Sequence, residues 1–180
     1  PEPIAHPRCD PLWRDIERAG LPVYIQTGFC SKNRYLDQLH GLRNVIEHYV
    51  ELNVIESHFG GNVVYPGHPG YTDIVADLHP LLETGRFFLE LGYVLGFENF
   101  NLWGKDSIYP FPKHNDIVKA IYEDFGAQVL VWGSDVPWCY RVCTYQQIVD
   151  LIQHHTPFMN EEDRAAVLGG NLARLFQLRV

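Results

Sequence analysis

The chain has 180 residues, 46% hydrophobic and 20% charged, with a formal net charge of −8 at pH 7. This length and composition predict one globular domain over residues 1–180 with a substantial core. The negative charge and the lack of a basic run argue against a nucleic-acid surface, and the lack of an apolar stretch of about 20 residues argues against a membrane span.

The first part of the chain predicts a helix, a strand and a second helix. Apolar residues at helical spacing predict a helix from Asp10 to Gly20, where the glycine ends it. The apolar run from Leu21 to Gly28 predicts a strand with Gln26 near its end. Apolar side chains recur every three or four positions from Tyr35 to Leu52, which predicts a long amphipathic helix.

The next two predicted strands each carry a carboxylate. Asn53–Phe59 alternates so that Glu56 and His58 should share one face. Arg86–Gly92 predicts a strand of similar length with Glu90 near its end. If both carboxylates point inward, each needs a partner, and a structural hydrogen bond and contact with a cation or a substrate are equally compatible with the pattern.

Helices and loops separate these strands and follow them. Helical patterns cover three further segments, Tyr71–Leu82, Ile117–Phe125 and Tyr145–His154. Loops are predicted at 62–69 and 93–112, and the second is long enough to suggest a functional role. Asn160 is a suitable N-cap for a last helix, which Gly169–Asn171 should divide into two pieces.

The apolar run Val129–Trp138, bounded by Gly133 and Pro137, predicts the last strand. Asp135 lies where this strand should end, a position at which a carboxylate can bind a metal, hold a substrate or act as a base. An aspartate that begins a turn or caps a helix is the equally weighted structural alternative.

Strand and helix alternate four times, which predicts a parallel sheet with right-handed crossovers. Four such units form half of a (β/α)8 barrel of the TIM type, although an open four-stranded sheet fits the same order. No strand is followed by a glycine-rich phosphate loop, so a dinucleotide-binding fold is disfavoured.

The four cysteines are too few and too scattered for a disulfide scaffold, so we expect free thiols. A cytoplasmic location is the default expectation, because the sequence shows neither a membrane span nor a charged-then-apolar signal segment. Ordinary packing or surface roles are expected for the histidines other than His58. Among these, His114 should precede the helix at Ile117–Phe125.

Four blocks of sequence carry a family resemblance: Leu21–Ile25, Ser57–Gly61, Gly133–Pro137 and Val167–Phe176. In this order they resemble the amidohydrolase-related family, the metal-dependent hydrolases and decarboxylases that share a TIM-type barrel. The resemblance extends from Asp10 to Leu178. It implies that the chain supplies strands five to eight of the barrel and a C-terminal helix.

The resemblance also implies roles for individual residues. It places His58 on the sixth strand, where it would polarise the substrate or bind a metal, and Asp135 on the eighth, where it would bind the metal and handle protons. The implied cofactor is a divalent metal, zinc above all. Gln26, Glu56, Glu90 and Trp138 are the expected contacts to a small-molecule substrate.

The expected reaction is hydrolysis or non-oxidative decarboxylation of a small carboxylate or cyclic substrate. Two alternatives stay open, because Gln26 replaces the histidine that usually ends the fifth strand and the chain has no His-x-His pair for the first. These are a non-catalytic half-barrel remnant and a metal-independent hydrolase that uses Asp135 as base. Exposed half-barrel edges further predict homo-oligomerisation or coverage by other residues.

Overall fold

Four short parallel strands form one sheet, in the order in which they occur along the chain. The computed structural model describes residues 4–27, 31–60, 71–92, 109–141 and 143–178. The strands are β1 Val23–Ile25, β2 Val54–Glu56, β3 Phe87–Gly92 and β4 Leu130–Gly133. The predicted parallel α/β architecture is therefore confirmed, while the assignment of these strands as five to eight of a barrel stays a prediction.

Helices lie between the strands and after the last of them. They are α1 Asp10–Ala19, α2 Lys32–His48, α3 Tyr71–Leu82, α4 Pro112–Phe125, α5 Tyr145–His155, α6 Glu161–Ala165 and α7 Asn171–Leu175. Short 3-10 turns occupy Pro7–Cys9, Ser57–Gly60, Ala127–Val129 and Trp138–Arg141. The alternation predicted from the hydrophobic pattern is thus present, with strands shorter than predicted.

Two helices begin earlier than their apolar periodicity indicated. Ser31 caps α2, since its side chain accepts a hydrogen bond from the Arg34 amide, and the helix starts at Lys32 rather than Tyr35. Helix α4 starts at Pro112, because proline is favoured in the first turn where its missing N–H costs nothing. His114 therefore lies inside α4, and the expectation that it precedes the helix is wrong.

The sheet is covered on both faces. Val54, Leu89 and Leu130 point to one face and belong to the main core, which also contains buried apolar residues of α2, α3 and α4. On the opposite face, Ile55, Phe88 and Val131 form a smaller cluster. Leu172 and Leu175 of α7 pack against this second cluster. Strands buried in this way explain the nearly continuous apolar runs in the sequence.

The C-terminal helical segment is attached to the beginning of β4 by a buried amide. A π-helix, Ala166–Gly170, joins α6 to α7, so the predicted division at the glycines is a change of helix type with helical dihedrals at Gly170 and Asn171. The Asn171 side chain is 1% exposed and donates to the Ala127 carbonyl at 2.8 Å and the Leu130 carbonyl at 2.7 Å. Asn160 caps α6 as predicted.

Within the described ranges, no helix has the length and apolar character needed to cross a bilayer. Cys9, Cys139 and Cys143 carry free thiols, as expected. Cys30, the loop predicted at 62–69 and most of the loop predicted at 93–112 lie outside the described residues.

Replacing Asn171 by alanine should destabilise the fold by about 2 to 4 kcal/mol, because two buried carbonyl oxygens lose their donor. Urea unfolding of both proteins measures the difference. Gln153→Ala, which removes an exposed amide from α5, is the matched control and should change the free energy of unfolding little. Equal stabilities of the Asn171→Ala variant and the parent would contradict the anchoring role.

The buried imidazole of His114 should make stability depend on pH. Burial lowers the pKa of His114 from 6.5 to about 3, with a hydrogen bond to the Asn115 side chain opposing the shift. Since the folded pKa lies below the unfolded one, the unfolded chain binds the extra proton, and stability present above pH 6.5 is lost as the pH falls toward 3.

The loss should be about 1.4 kcal/mol per pH unit in this window. His114→Gln should flatten the curve of unfolding free energy against pH by that slope, whereas His154→Gln, at an exposed position of α5, should leave it unchanged. Parallel curves for the parent and His114→Gln would show that His114 does not titrate as described.

Candidate active site

Three ionisable side chains from three neighbouring strands meet at one edge of the sheet. His58 follows β2, Glu90 lies on β3 and Asp135 follows β4. Nε2 of His58 is 3.9 Å from Oδ1 of Asp135, and the backbone N–H of His58 donates to Oε2 of Glu90 at 3.1 Å. The carboxyl ends of parallel strands gather at the same edge, which is why residues far apart in sequence come together here.

His58 is held in a tight turn rather than in a strand. It belongs to the 3-10 turn Ser57–Gly60 and has a left-handed backbone with φ of 55°. The Ser57 hydroxyl donates to the Ile25 carbonyl at 3.0 Å, which ties the turn to the end of β1. The predicted strand over Asn53–Phe59 is therefore too long, since the chain leaves the extended conformation after Glu56.

Asp135 also has a left-handed backbone, with φ of 52°, two residues beyond the end of β4. Its carbonyl accepts a hydrogen bond from the amide of Cys139, which starts the following turn. Its side chain and that of His58 are only 16% and 15% exposed. Non-glycine residues in this conformation are uncommon, and such positions cluster at functional sites.

Burial and mutual charge shift the titration of the two carboxyl groups. Burial raises the pKa of Asp135, and the positive charge of a protonated His58 opposes that shift. Burial likewise raises the pKa of Glu90, which the His58 N–H hydrogen bond and the His58 charge oppose and the Asp135 charge reinforces. The cluster thus holds carboxyl groups that take up a proton more readily than they would in water.

Glu56 lies on the other face of the sheet. The register pairs Glu56 with Leu89, so Glu56 shares the face of the main core, and Glu90 points to the opposite face, that of Phe88. The expectation that both point inward is therefore wrong for Glu56. Its carboxylate accepts hydrogen bonds from the backbone N–H and the hydroxyl of Thr27 at 2.9 to 3.0 Å, joining the ends of β1 and β2.

Gln26 and Trp138 are the other two residues that the sequence predicted as substrate contacts. Gln26 is exposed just beyond β1, and no described contact joins it to the cluster. Trp138 begins the turn Trp138–Arg141, and its side chain lies outside the described part of the molecule. Substrate contact by these residues stays a prediction.

Tyr24 is a candidate that the sequence analysis missed. The register pairs it with Ile55, so its side chain lies on the face of Glu90. Tyr24 is 48% exposed, and burial together with the charge of Glu90 raises its pKa to about 12, which keeps the phenol protonated. The alternation Val23-Tyr24-Ile25 was the available signal, because it sends Tyr24 to the face opposite its neighbours.

A divalent metal would find an incomplete ligand set among the described residues. They contain no group of three or more His, Cys, Asp or Glu side chains arranged to hold an ion, and at this edge of the sheet His58 and Asp135 form a pair. Catalytic zinc sites usually have three protein ligands. The described side chains therefore do not by themselves fit a catalytic metal.

Comparison with known proteins connects this geometry to a family. A sequence model described as amidohydrolase matches residues 1–178. No curated protein matches the sequence at a significant level.

Solved structures share the fold at low sequence identity. An amidohydrolase from Burkholderia multivorans with bound zinc superposes with a TM-score of 0.68 at 17% identity, covering 93% of this chain and 57% of that one. The Rhizobium 2,6-dihydroxybenzoate decarboxylase gives 0.62 at 14%, covering 99% and 58%. A Pseudomonas putida protein named as a 2-pyrone-4,6-dicarboxylic acid hydrolase gives 0.66 at 18%, covering 100% and 60%. This chain therefore spans less than two thirds of their length.

Proposed function

The chain belongs to the amidohydrolase family, and from that premise we propose that it is part of an enzyme that hydrolyses or decarboxylates a small cyclic carboxylate without an oxidant. The observation that carries the proposal is the partly buried pair of His58 and Asp135 at the carboxyl ends of β2 and β4. This edge is where barrel enzymes assemble their catalytic groups.

The names of two structural relatives support the substrate class. One is a decarboxylase of 2,6-dihydroxybenzoate and the other is named for hydrolysis of 2-pyrone-4,6-dicarboxylic acid. Both compounds are planar rings that carry carboxylate groups. The protonated phenol of Tyr24, on the Glu90 face of the sheet, is a suitable donor to an oxygen of such a ring.

Asp135 is the group that we propose to move the proton. Hydrolysis requires a proton to leave the attacking water, and decarboxylation requires one to reach the carbon that loses carbon dioxide. A carboxyl group whose pKa is raised by burial exchanges protons closer to neutral pH than an exposed aspartate does. His58, beside it, would donate a hydrogen bond to the reacting carbonyl or carboxylate oxygen.

We propose zinc as the cofactor of the whole enzyme, in keeping with the zinc in the Burkholderia multivorans relative. When bound, such an ion polarises a substrate oxygen and acidifies a bound water. Its further ligands would have to come from outside the described residues, since His58 and Asp135 are only two. Metal-independent hydrolysis with Asp135 as base is the second candidate, supported by this incomplete ligand set.

Asp135→Asn should keep the fold and lower turnover by several orders of magnitude, because the amide has nearly the same shape but cannot accept the proton. His58→Ala should cost less, about 10²- to 10⁴-fold. Turnover of ring carboxylates by the full-length natural protein, measured as carbon dioxide release and as ring opening, tests both changes.

Asp116→Asn, at an exposed position of α4, is the matched control and should behave as the parent. Metal content is measured on the same preparations. Zinc that is present in the parent and lost in both site variants would indicate ligation, and Gln26→His should then strengthen binding. Unchanged turnover in Asp135→Asn would remove Asp135 from the mechanism and favour a non-catalytic remnant.

We also propose that residues 1–180, expressed alone, self-associate through the outer edge of β1. This strand is at the end of the sheet, and next to it Leu21 is 59% exposed. Unpaired edges recruit further strands. We propose that the protein is located in the cytoplasm. In the cell, the rest of a longer protein would compete with self-association for the same edge of β1.

Light scattering after size exclusion should give a mass above that of one chain. Leu21→Lys should weaken the association, since a charge protects an edge strand, whereas Leu12→Lys, at a 57% exposed position of α1, should not. A monomer at every concentration would contradict the proposal.

A further inference from the structure

The carboxylate of Glu90 occupies a space that two glycines leave open. Gly92 lies two residues further along β3 and pairs in register with Gly133 of β4. A Cβ atom added to Gly133 would lie 1.5 Å from Oε1 of Glu90, and one added to Gly92 would lie 3.2 Å from Oε2. Neither glycine has a positive φ, so close approach of neighbouring side chains is what requires them. At Gly133 that side chain is Glu90, and at Gly92 it is the His58 ring, whose Nδ1 would lie 2.5 Å from an added Cβ, together with Glu90.

From this space the carboxylate reaches the backbone of the turn that follows β2, the neighbouring strand. Oε2 of Glu90 accepts the N–H of His58 at 3.1 Å. That N–H belongs to a residue with a left-handed φ, a conformation that persists only where its surroundings enforce it. The hydrogen bond that the Glu90 side chain accepts is such a constraint on the His58 backbone.

We propose that Glu90 is a positioning residue for His58: its carboxylate, seated over Gly92 and Gly133, holds the His58 backbone so that the imidazole faces Asp135. This inference rests on the proposed function for its catalytic consequence, but the contact itself does not. It replaces the expected role of Glu90 as a substrate contact, because Glu90 is only 8% exposed and its Oε2 is engaged with the backbone.

Two substitutions of Glu90 distinguish the loss of its hydrogen-bond acceptor from the loss of its negative charge. Glu90→Gln keeps an oxygen at the same reach, while Glu90→Ala removes it. Gly133→Ala leaves Glu90 in the chain and displaces its carboxylate, since the three nearest atoms that the new methyl would meet all belong to the Glu90 side chain. Gly169→Ala is the matched control, because a Cβ there meets no atom within 4 Å.

The contact is tested by NMR of the full-length protein labelled with ¹⁵N-histidine. The amide proton of His58 should be shifted downfield and protected from exchange in the parent, in Glu90→Gln and in Gly169→Ala. Both signatures should be lost in Glu90→Ala and in Gly133→Ala. An amide signal that does not respond to Glu90→Ala overturns the contact whether or not the protein is an enzyme.

The consequence is tested by steady-state kinetics on the same proteins. Glu90→Ala and Gly133→Ala should each lower kcat by about 10²-fold with little change in KM, as expected for a misplaced catalytic group. Glu90→Gln should retain kcat within a few-fold. In the Glu90→Ala background, Gly133→Ala should add no further loss, because the atoms that it displaces are gone.

The possible failures are distinguishable. A rise in KM with unchanged kcat would assign Glu90 to substrate binding and overturn positioning. Folded Glu90→Gln with the same loss as Glu90→Ala would show that the charge matters rather than the hydrogen bond, and also overturns it. A parent enzyme without turnover on any ring carboxylate would refute the proposed function alone, since the amide signature would still decide the contact.

Discussion

The parallel register of β2, β3 and β4 is the constraint on which the site depends. Because the three strands run in the same direction and neighbour each other in chain order, residues that follow them emerge at one edge. The pairing of Gly92 with Gly133 then brings two residues without side chains next to each other, and the side chains of Glu90 and His58 fill the space. A shift of one residue would send Glu90 to the face of the main core and separate it from the His58 amide.

Several energetically costly features lie together at this edge of the sheet, and contacts among the same residues offset part of that cost. His58 and Asp135 both have left-handed backbones, and the Glu90 carboxylate is buried. Each would be costly alone. The Glu90 carboxylate accepts a hydrogen bond from the His58 N–H. A protonated His58 places a positive charge close to the carboxyl groups of both Glu90 and Asp135.

Much of the fold could be predicted from periodicity, since β3 and α3 agree with their apolar patterns almost to the residue. The exceptions have physical causes. The predicted strand through His58 failed because alternation does not reveal where a chain turns, and Glu56 was assigned to the wrong face because register is a tertiary property. Glu90 was predicted as a site residue, but its contact with the His58 N–H depends on Gly133, which lies 43 residues later in the chain. No local sequence pattern contains that information.

The two ends of β4 have different roles, and because the strand is short, the position of one end constrains the position of the other. Asn171 holds the carbonyls of Ala127 and Leu130 at the beginning of the strand, and Asp135 follows its end. Four residues span only about 13 Å, and an extended segment of that length between two neighbours has little freedom to slide. The buried amide of Asn171 therefore helps to fix the position of Asp135 at the other end of β4. This contact links the C-terminal block Val167–Phe176 to the block Gly133–Pro137, which contains the aspartate.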